Sequence, residues 1–224
     1  MSERMISVAI DGPAGAGKST IARAVAGKLG FIYVDTGALY RAVGLYGLRK
    51  GVDTTSAEQM LPLLDEIKVE MIYVEGEQRV LLNGEDVSEA IRLGEASMAA
   101  SNVSAIQGVR DFLFDLQKDM ACRHNVVMDG RDIGTVVLPE AQVKIFLTAT
   151  PEERATRRYN ELVEKGQQVD FDELLAEVKQ RDYNDSHRAA APLKQADDAV
   201  LVDTTGLTKE ESIQKIFDLV QTKL

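Results

Sequence analysis

Near the amino terminus, one stretch has the residue types and spacing needed to hold phosphate. Gly12-Pro13-Ala14-Gly15-Ala16-Gly17-Lys18-Ser19 fits G-x-x-x-x-G-K-[ST], and Thr20 follows. Glycines at these intervals let the backbone curl until successive N–H groups converge on one anion. A helix starting at the loop aims the positive end of its dipole at the same point. Lys18 then reaches the β- and γ-phosphates, and the Ser19 hydroxyl is placed to bind Mg²⁺. A second candidate metal residue is Asp129, which ends the apolar run Val126-Val127-Met128 and could support the ion from a neighbouring strand.

The other chemistry-bearing residues are arginines, 14 in all. Arg41 lies in Asp35-Thr36-Gly37-Ala38-Leu39-Tyr40-Arg41, just past an apolar run, and Arg131 lies in Asp129-Gly130-Arg131-Asp132, just past another. Ligands of open α/β sheets bind at the carboxyl ends of strands, where both segments fall. Arg154, Arg157 and Arg158 fall at i, i+3 and i+4 and share one helix face. Arg181, Asp185 and Arg188 share another if their helix persists that far. Each group also fits a plainer account. The first trio stands near Glu152, Glu153 and Glu161, as in a salt-bridged solvated face, and the second group is mutually neutralising. Arg131 between two aspartates fits a loop ion pair. The joint pattern favours phosphoryl transfer, which needs guanidinium forks on both donor and acceptor phosphates.

These residues need elements to position them. Short β-branched runs alternate with helical patterns, which predicts an α/β fold with a parallel sheet. The predicted strands are Met5–Ile10, Phe31–Val34, Asn125–Met128, Val143–Leu147 and Ala199–Val202. Ile21, Val25 and Leu29 mark a helix stopped by Gly30, and Val109, Leu113, Leu116 and Met120 mark another. Thr150 with Glu153 reads as a capping box with Pro151 at the first helical position. Asp170 with Glu173, and Thr208 with Glu211, open the later helices in the same way, and Ile213, Ile216 and Val220 line the last one. Residues 67–73 alternate with period two, and 79–82 follow a glycine-containing turn and precede Asn83-Gly84. This predicts a small antiparallel insert, over about residues 62–100.

Composition bounds the answer. With 224 residues the chain makes one large domain, or one with insertions. Its net charge of −10 argues against a nucleic-acid polymer as partner. Cys122 alone excludes a disulfide framework and is expected to be small, buried and near a helix end. Two histidines, His124 and His187, argue against a histidine-based metal site or a histidine-dependent triad. The apolar stretch before Asp11 is too short for a signal peptide, and no apolar run suffices to span a membrane, so a cytoplasmic protein is expected.

Together, residues 11–20, 35–41, 83–88, 129–137, 144–158 and 180–193 make the whole chain resemble the bacterial cytidylate kinases, nucleoside monophosphate kinases of the P-loop class. The resemblance implies a five-stranded parallel core built from residues 1–35, 105–150 and 190–224. It further implies a monophosphate-binding region over 36–104 and a mobile lid over 150–165. The implied reaction moves the γ-phosphoryl of ATP to CMP or dCMP with Mg²⁺, in a monomer. By position, Thr36 would contact the acceptor, and Arg41 with Arg131 would hold its phosphate. Ser101, Arg110, Asp132 and Arg188 would sort the base, and Arg181 and Asp185 would reach the ribose. Lys18 would stabilise the transferring group, and Arg154, Arg157 and Arg158 would close over ATP. Thr205, within Asp203–Gly206, would border the adenine. A P-loop kinase acting on UMP, dephospho-coenzyme A or shikimate would share the loop, but the insert and residues 181–188 argue against the last two. A GTP switch fits poorly, since D-x-x-G occurs only at 203–206 and N-K-x-D nowhere.

Overall fold

The apolar runs form strands that each continue one or two residues further, to a polar or small residue at the carboxyl edge. The computed structural model describes residues 5–75, 77–92 and 94–224. In chain order the elements are β1 (Ser7–Asp11), α1 (Lys18–Leu29), β2 (Ile32–Asp35), α2 (Thr36–Lys50), α3 (Ala57–Met60), β3 (Val69–Val74), β4 (Glu77–Leu82) and β5 (Glu85–Asp86). Then come α4 (Gly94–Ser104), α5 (Gln107–Arg123), β6 (Val126–Gly130), a π-helical turn (Ile133–Val137), β7 (Val143–Thr148), α6 (Pro151–Glu164), α7 (Phe171–His187), β8 (Val200–Asp203) and α8 (Lys209–Lys223).

The main sheet has five strands in the order β2-β6-β1-β7-β8. β1 runs parallel to β6, with Ser7 opposite Val126, and to β7, with Val8 opposite Val143. β1 and β6 are buried along their whole length, as expected of parallel strands covered on both faces. The order reverses direction at β1, which puts the phosphate loop at the topological switch point.

The chain divides into two compact units. The first takes residues up to Tyr33, Arg123–Arg188 and Pro192–Leu224. Its core joins Val8 and Ile10 of β1, Ile21 and Val25 of α1, Leu147 of β7 and Ile216 of α8. The second takes Val34–Cys122 and Ala189–Ala191, with a core around Leu39, Val43, Met60, Val80, Val103 and Leu113. In that unit α2 and α4 meet closely at Gly44, where a Cβ would stand 2.9 Å from the Ala99 backbone. β3, β4 and β5 form the antiparallel insert, with Val69 opposite Leu82. Asn83 and Gly84 both have positive φ, 51° and 83°, as an Asn-Gly hairpin turn requires. Gly76, in the turn expected before β4, lies outside the described residues.

Four local expectations are corrected. Cys122 is exposed, because the buried face of α5 runs through Val109, Leu113, Gln117 and Ala121 and residue 122 is turned away from it. That same face passes through Gln117, whose amide is satisfied by the Leu113 carbonyl; Leu116 lies beside it, partly buried against the core, and Met120 falls outside that cluster. At α6, Thr150 caps the Glu153 N–H, but the Glu153 carboxylate turns to Arg157 and the Thr150 N–H donates to Thr205 Oγ1. The reciprocal half of that capping box is therefore absent. At α8 both halves form between Thr208 and Glu211. Finally, α7 ends at His187, so Arg188 stands one residue past the helix with extended backbone (ψ 144°).

Candidate active site

The phosphate loop joins β1 to α1. Gly12 takes φ 150°, and a Cβ there would lie 1.9 Å from the Leu147 carbonyl oxygen on β7, so no side chain fits. Lys18 opens α1, is buried, and donates from Nζ to the Pro13 carbonyl at 2.7 Å. Burial, and next the nearby Arg131, hold its ammonium well below the ordinary lysine range, although Asp129 and Asp185 work the other way. A phosphate oxygen beside it would supply the missing negative charge. Thr20 is on the exposed side of α1.

Ser19 and Asp129 come together as expected: Ser19 Oγ donates to Asp129 Oδ2 at 2.9 Å. The other carboxylate oxygen accepts from the Tyr33 hydroxyl at 2.9 Å, which fixes the carboxylate's orientation. Sequence reasoning missed Tyr33. Its only signal is the sheet order, which sets β2 beside β6.

Beyond β6, two ion pairs tie the loop to the end of α7. Arg131 Nε donates to Asp185 Oδ2 at 2.8 Å, and Arg188 stands 3.6 Å from Asp132. Burial alone would raise the Asp185 carboxyl, but Arg131, Arg181 and Arg188 together hold it below its usual value. The first unit thus gathers Lys18, Arg131, Asp132, Arg181, Asp185 and Arg188 in one electrostatic cluster.

The three arginines of α6 do not act as one face. Arg154 is buried, forks onto both oxygens of Asp182, and donates from Nη1 to the Ala14 carbonyl of the phosphate loop at 2.8 Å. Arg157 pairs with Glu153 and donates to the Thr204 carbonyl at 2.9 Å. Its guanidinium also comes within 4.0 Å of where a Gly17 Cβ would stand, so it borders the loop. Arg158 pairs with Glu161 of its own helix and is 40% exposed. Thr205 donates to Asp203, whose carboxyl this hydrogen bonding lowers.

The second unit carries the remaining candidates. Thr36 is buried at the start of α2, whose N-cap Asp35 accepts from the Ala38 N–H and lies 3.6 Å from Arg41. On α5, buried Arg110 donates to the Ser104 carbonyl at 3.4 Å and sits 5.8 Å from the Tyr40 ring centroid. Ser104 in turn donates to the Ser101 carbonyl.

Known proteins resemble the chain over nearly its whole length. A family model described as cytidylate kinase matches residues 8–222. The chain is 54% identical over 216 residues to the cytidylate kinase of Caldicellulosiruptor saccharolyticus, covering 96% of each. It is 47% identical over 221 residues to that of Bacillus subtilis, covering 99% of each. Among solved structures, an uncharacterized protein from Eubacterium ventriosum aligns with 97% of this chain and 99% of its own, at TM-score 0.54 and 12% identity, a likeness of fold alone. From the phosphate loop through the last helix, then, the chain belongs to the cytidylate kinase family.

Proposed function

We propose that the protein transfers the γ-phosphoryl group of ATP to CMP or dCMP, giving ADP and CDP or dCDP. One observation carries the reading: Lys18 and the Ser19–Asp129 pair share a unit with Arg131 and its partner Asp185. Cationic groups for a transferring phosphoryl thus stand together on one scaffold. The acceptor's phosphate has a second pKa near 6 and is mostly a dianion at neutral pH, so it attacks without a general base. Catalysis then rests on alignment and charge neutralisation, by Lys18 and Arg131 at the transferring group and by Arg154 and Arg157 along the donor phosphates. In this reading Arg158 joins them as the lid over residues 150–165 closes, which requires it to leave Glu161 and helps exclude water. Thr205 borders the adenine.

The residues present suit Mg²⁺. Ser19 and Asp129 offer hard oxygens, and Mg²⁺ in phosphoryl-transfer sites is held by one or two carboxylates plus substrate phosphates. When bound, the ion neutralises charge on the phosphate oxygens. In the second unit, Thr36 and Arg41 contact the acceptor, while Ser101 and Arg110 read its base. Asp132 accepts from the exocyclic amine of cytosine, and Arg110 donates to its O2 or N3. Uracil reverses the pattern at position 4 and leaves buried groups unpaired. Arg181 and Asp185 serve the ribose, and Arg188 the base. The reading has the protein act as a cytoplasmic monomer; no helix among the described residues is long and apolar enough to cross a membrane.

The test is ADP release from ATP with CMP, dCMP, UMP, AMP and shikimate in parallel. CMP and dCMP should be the preferred acceptors, and Lys18→Ala or Arg131→Ala should lower kcat by about 10²–10³-fold while circular dichroism stays unchanged. Equal rates on CMP and UMP would overturn the base assignment, and near-normal turnover in either variant would overturn the catalytic one.

A further inference from the structure

Asp11, the last residue of β1, is 5% exposed and takes no part in the mechanism above. Its oxygens accept from two successive backbone N–H groups, Oδ1 from Ile133 at 2.8 Å and Oδ2 from Gly134 at 2.7 Å. Those groups open the π-helical turn Ile133–Val137, which closes with the Leu138 N–H on the Ile133 carbonyl at 2.7 Å. The first N–H groups of a helical turn have no acceptor within it, and a short polar side chain at the N-cap usually supplies one. Here the N-cap residue is Asp132, yet its side chain makes no capping hydrogen bond and stands 3.6 Å from Arg188 instead. The cap comes from Asp11, 122 residues away along the chain. The fit is close: a Cβ on Gly134 would lie 3.4 Å from Asp11 Oδ2 and 3.2 Å from Lys144 Cδ.

We propose that Asp11 is a positioning residue, whose capping of this turn fixes the Arg131–Asp132 segment and lets Asp132 serve substrate and Arg188 rather than its own backbone. The proposal rests on the reading of Arg131 and Asp132 as substrate-binding residues. The cap needs both oxygens as acceptors, and so needs the ionised carboxylate. Burial pushes the Asp11 carboxyl up from 3.8 to about 6, against the two N–H groups, which lower it. The charged groups acting on it are Asp132, which raises it further, and Lys18, which lowers it. Lys144 of β7, beside Gly134, has its ammonium on Asp198. As pH falls through about 6, a proton occupies one oxygen and one of the two N–H groups loses its acceptor.

Because the acceptor phosphate titrates in the same range, the decisive measurement uses the protein without added nucleotide. Amide resonances of Ile133 and Gly134, with the Arg131 Nε–H resonance, are followed by NMR between about pH 5 and pH 8, in wild type and in Asp11→Asn. The expected result is a shared midpoint near 6 in the wild type and flat traces in the variant. With CMP and ATP at neutral pH, kcat of Asp11→Asn should fall by about 10²-fold, as displaced catalytic groups cause, with KM for ATP unchanged and Tm lowered by only about 2–4 °C, as loss of one cap costs. Wild-type amides that do not titrate, or an Arg131 resonance that does not follow them, would overturn the proposal even where the variant fails to fold. Wild-type kcat in the variant would do so too, as would loss of kcat accounted for by unfolding of the variant at the assay temperature. No turnover of CMP by the wild type defeats the substrate reading instead, and is thereby told apart from failure of the cap.

Discussion

In the first unit, Arg131 and Arg154 are held by carboxylates far along the chain, Asp185 at a separation of 54 residues and Asp182 at 28. In the second, Arg41 meets the N-cap of its own helix, and Arg110 donates to a carbonyl six residues back. The burial differs in parallel. Each first-unit pair has one nearly buried member, Asp185 at 5% and Arg154 at 2%, whereas Arg41 and Asp35 are at 28% and 15%; Arg110 is buried, but on a carbonyl rather than a carboxylate. A local pair forms with the turn or helix that carries it. A long-range buried pair exists only once sheet and helices are assembled, and each partner then depends on the other to offset its desolvation. The geometry of Arg131 and Arg154 is therefore coupled to the tertiary structure of the first unit, while that of Arg41 is a property of its own helix.

Chemical denaturation would break or sharpen this contrast. Asp185→Ala should have the largest effect, about 3–5 kcal/mol of stability, because it leaves Arg131 without that carboxylate in a cluster already rich in arginine. Asp35→Ala should cost about 1–2 kcal/mol, the sum of a lost helix cap and a weak, partly exposed ion pair. If the two variants were equally destabilised, the distinction between the units would fall. Arg158→Ala removes an i,i+3 pair on the surface of α6 and should shift stability by no more than about 0.5 kcal/mol. A larger loss would mean that Arg158 is anchored as Arg154 is.

The same contrast explains what could be read from the sequence. Features carried by local pattern were legible: five strands with their order along the chain, the phosphate loop, the Asn83-Gly84 turn, and the caps at Asp170 and Thr208. The meeting of Ser19 with Asp129 was legible because the phosphate loop and a carboxylate ending an apolar run both fall at the carboxyl edge of the sheet. Periodicity locates a helix face only coarsely, since one residue turns the direction by about 100°. That is why Cys122, next to buried Ala121, was misplaced, and why Gln117 was overlooked on the buried face of α5. The three arginines of α6 fall at spacings that suggest one face, but spacing says nothing of Asp182, Glu153 and Glu161, which divide them. Tyr33 and Asp11 were invisible for a related reason. Each meets its partner 96 to 123 residues away, Tyr33 on a neighbouring strand and Asp11 in the turn beyond one, and no short-range signal records such a meeting.

The interleaving of the two units also bears on how the chain reaches this structure. β1 precedes the other strands, yet its neighbour β6 follows only after nearly all of the second unit, and the bond from Ile6 N–H to Asn125 Oδ1 closes a separation of 119 residues. Closing so long a flexible loop delays folding, as non-local parallel pairing generally does. The second unit is almost continuous in sequence, and the Ile32 N–H bonds the Asn125 carbonyl at 2.9 Å, so the chain departs and returns at adjacent points of the sheet. Once residues 34–122 condense on their own core, the span that β1 and β6 must close is shortened. An inserted unit that condensed first would act as a splint, holding Ile32 and Asn125 at hydrogen-bonding distance while the central strands pair.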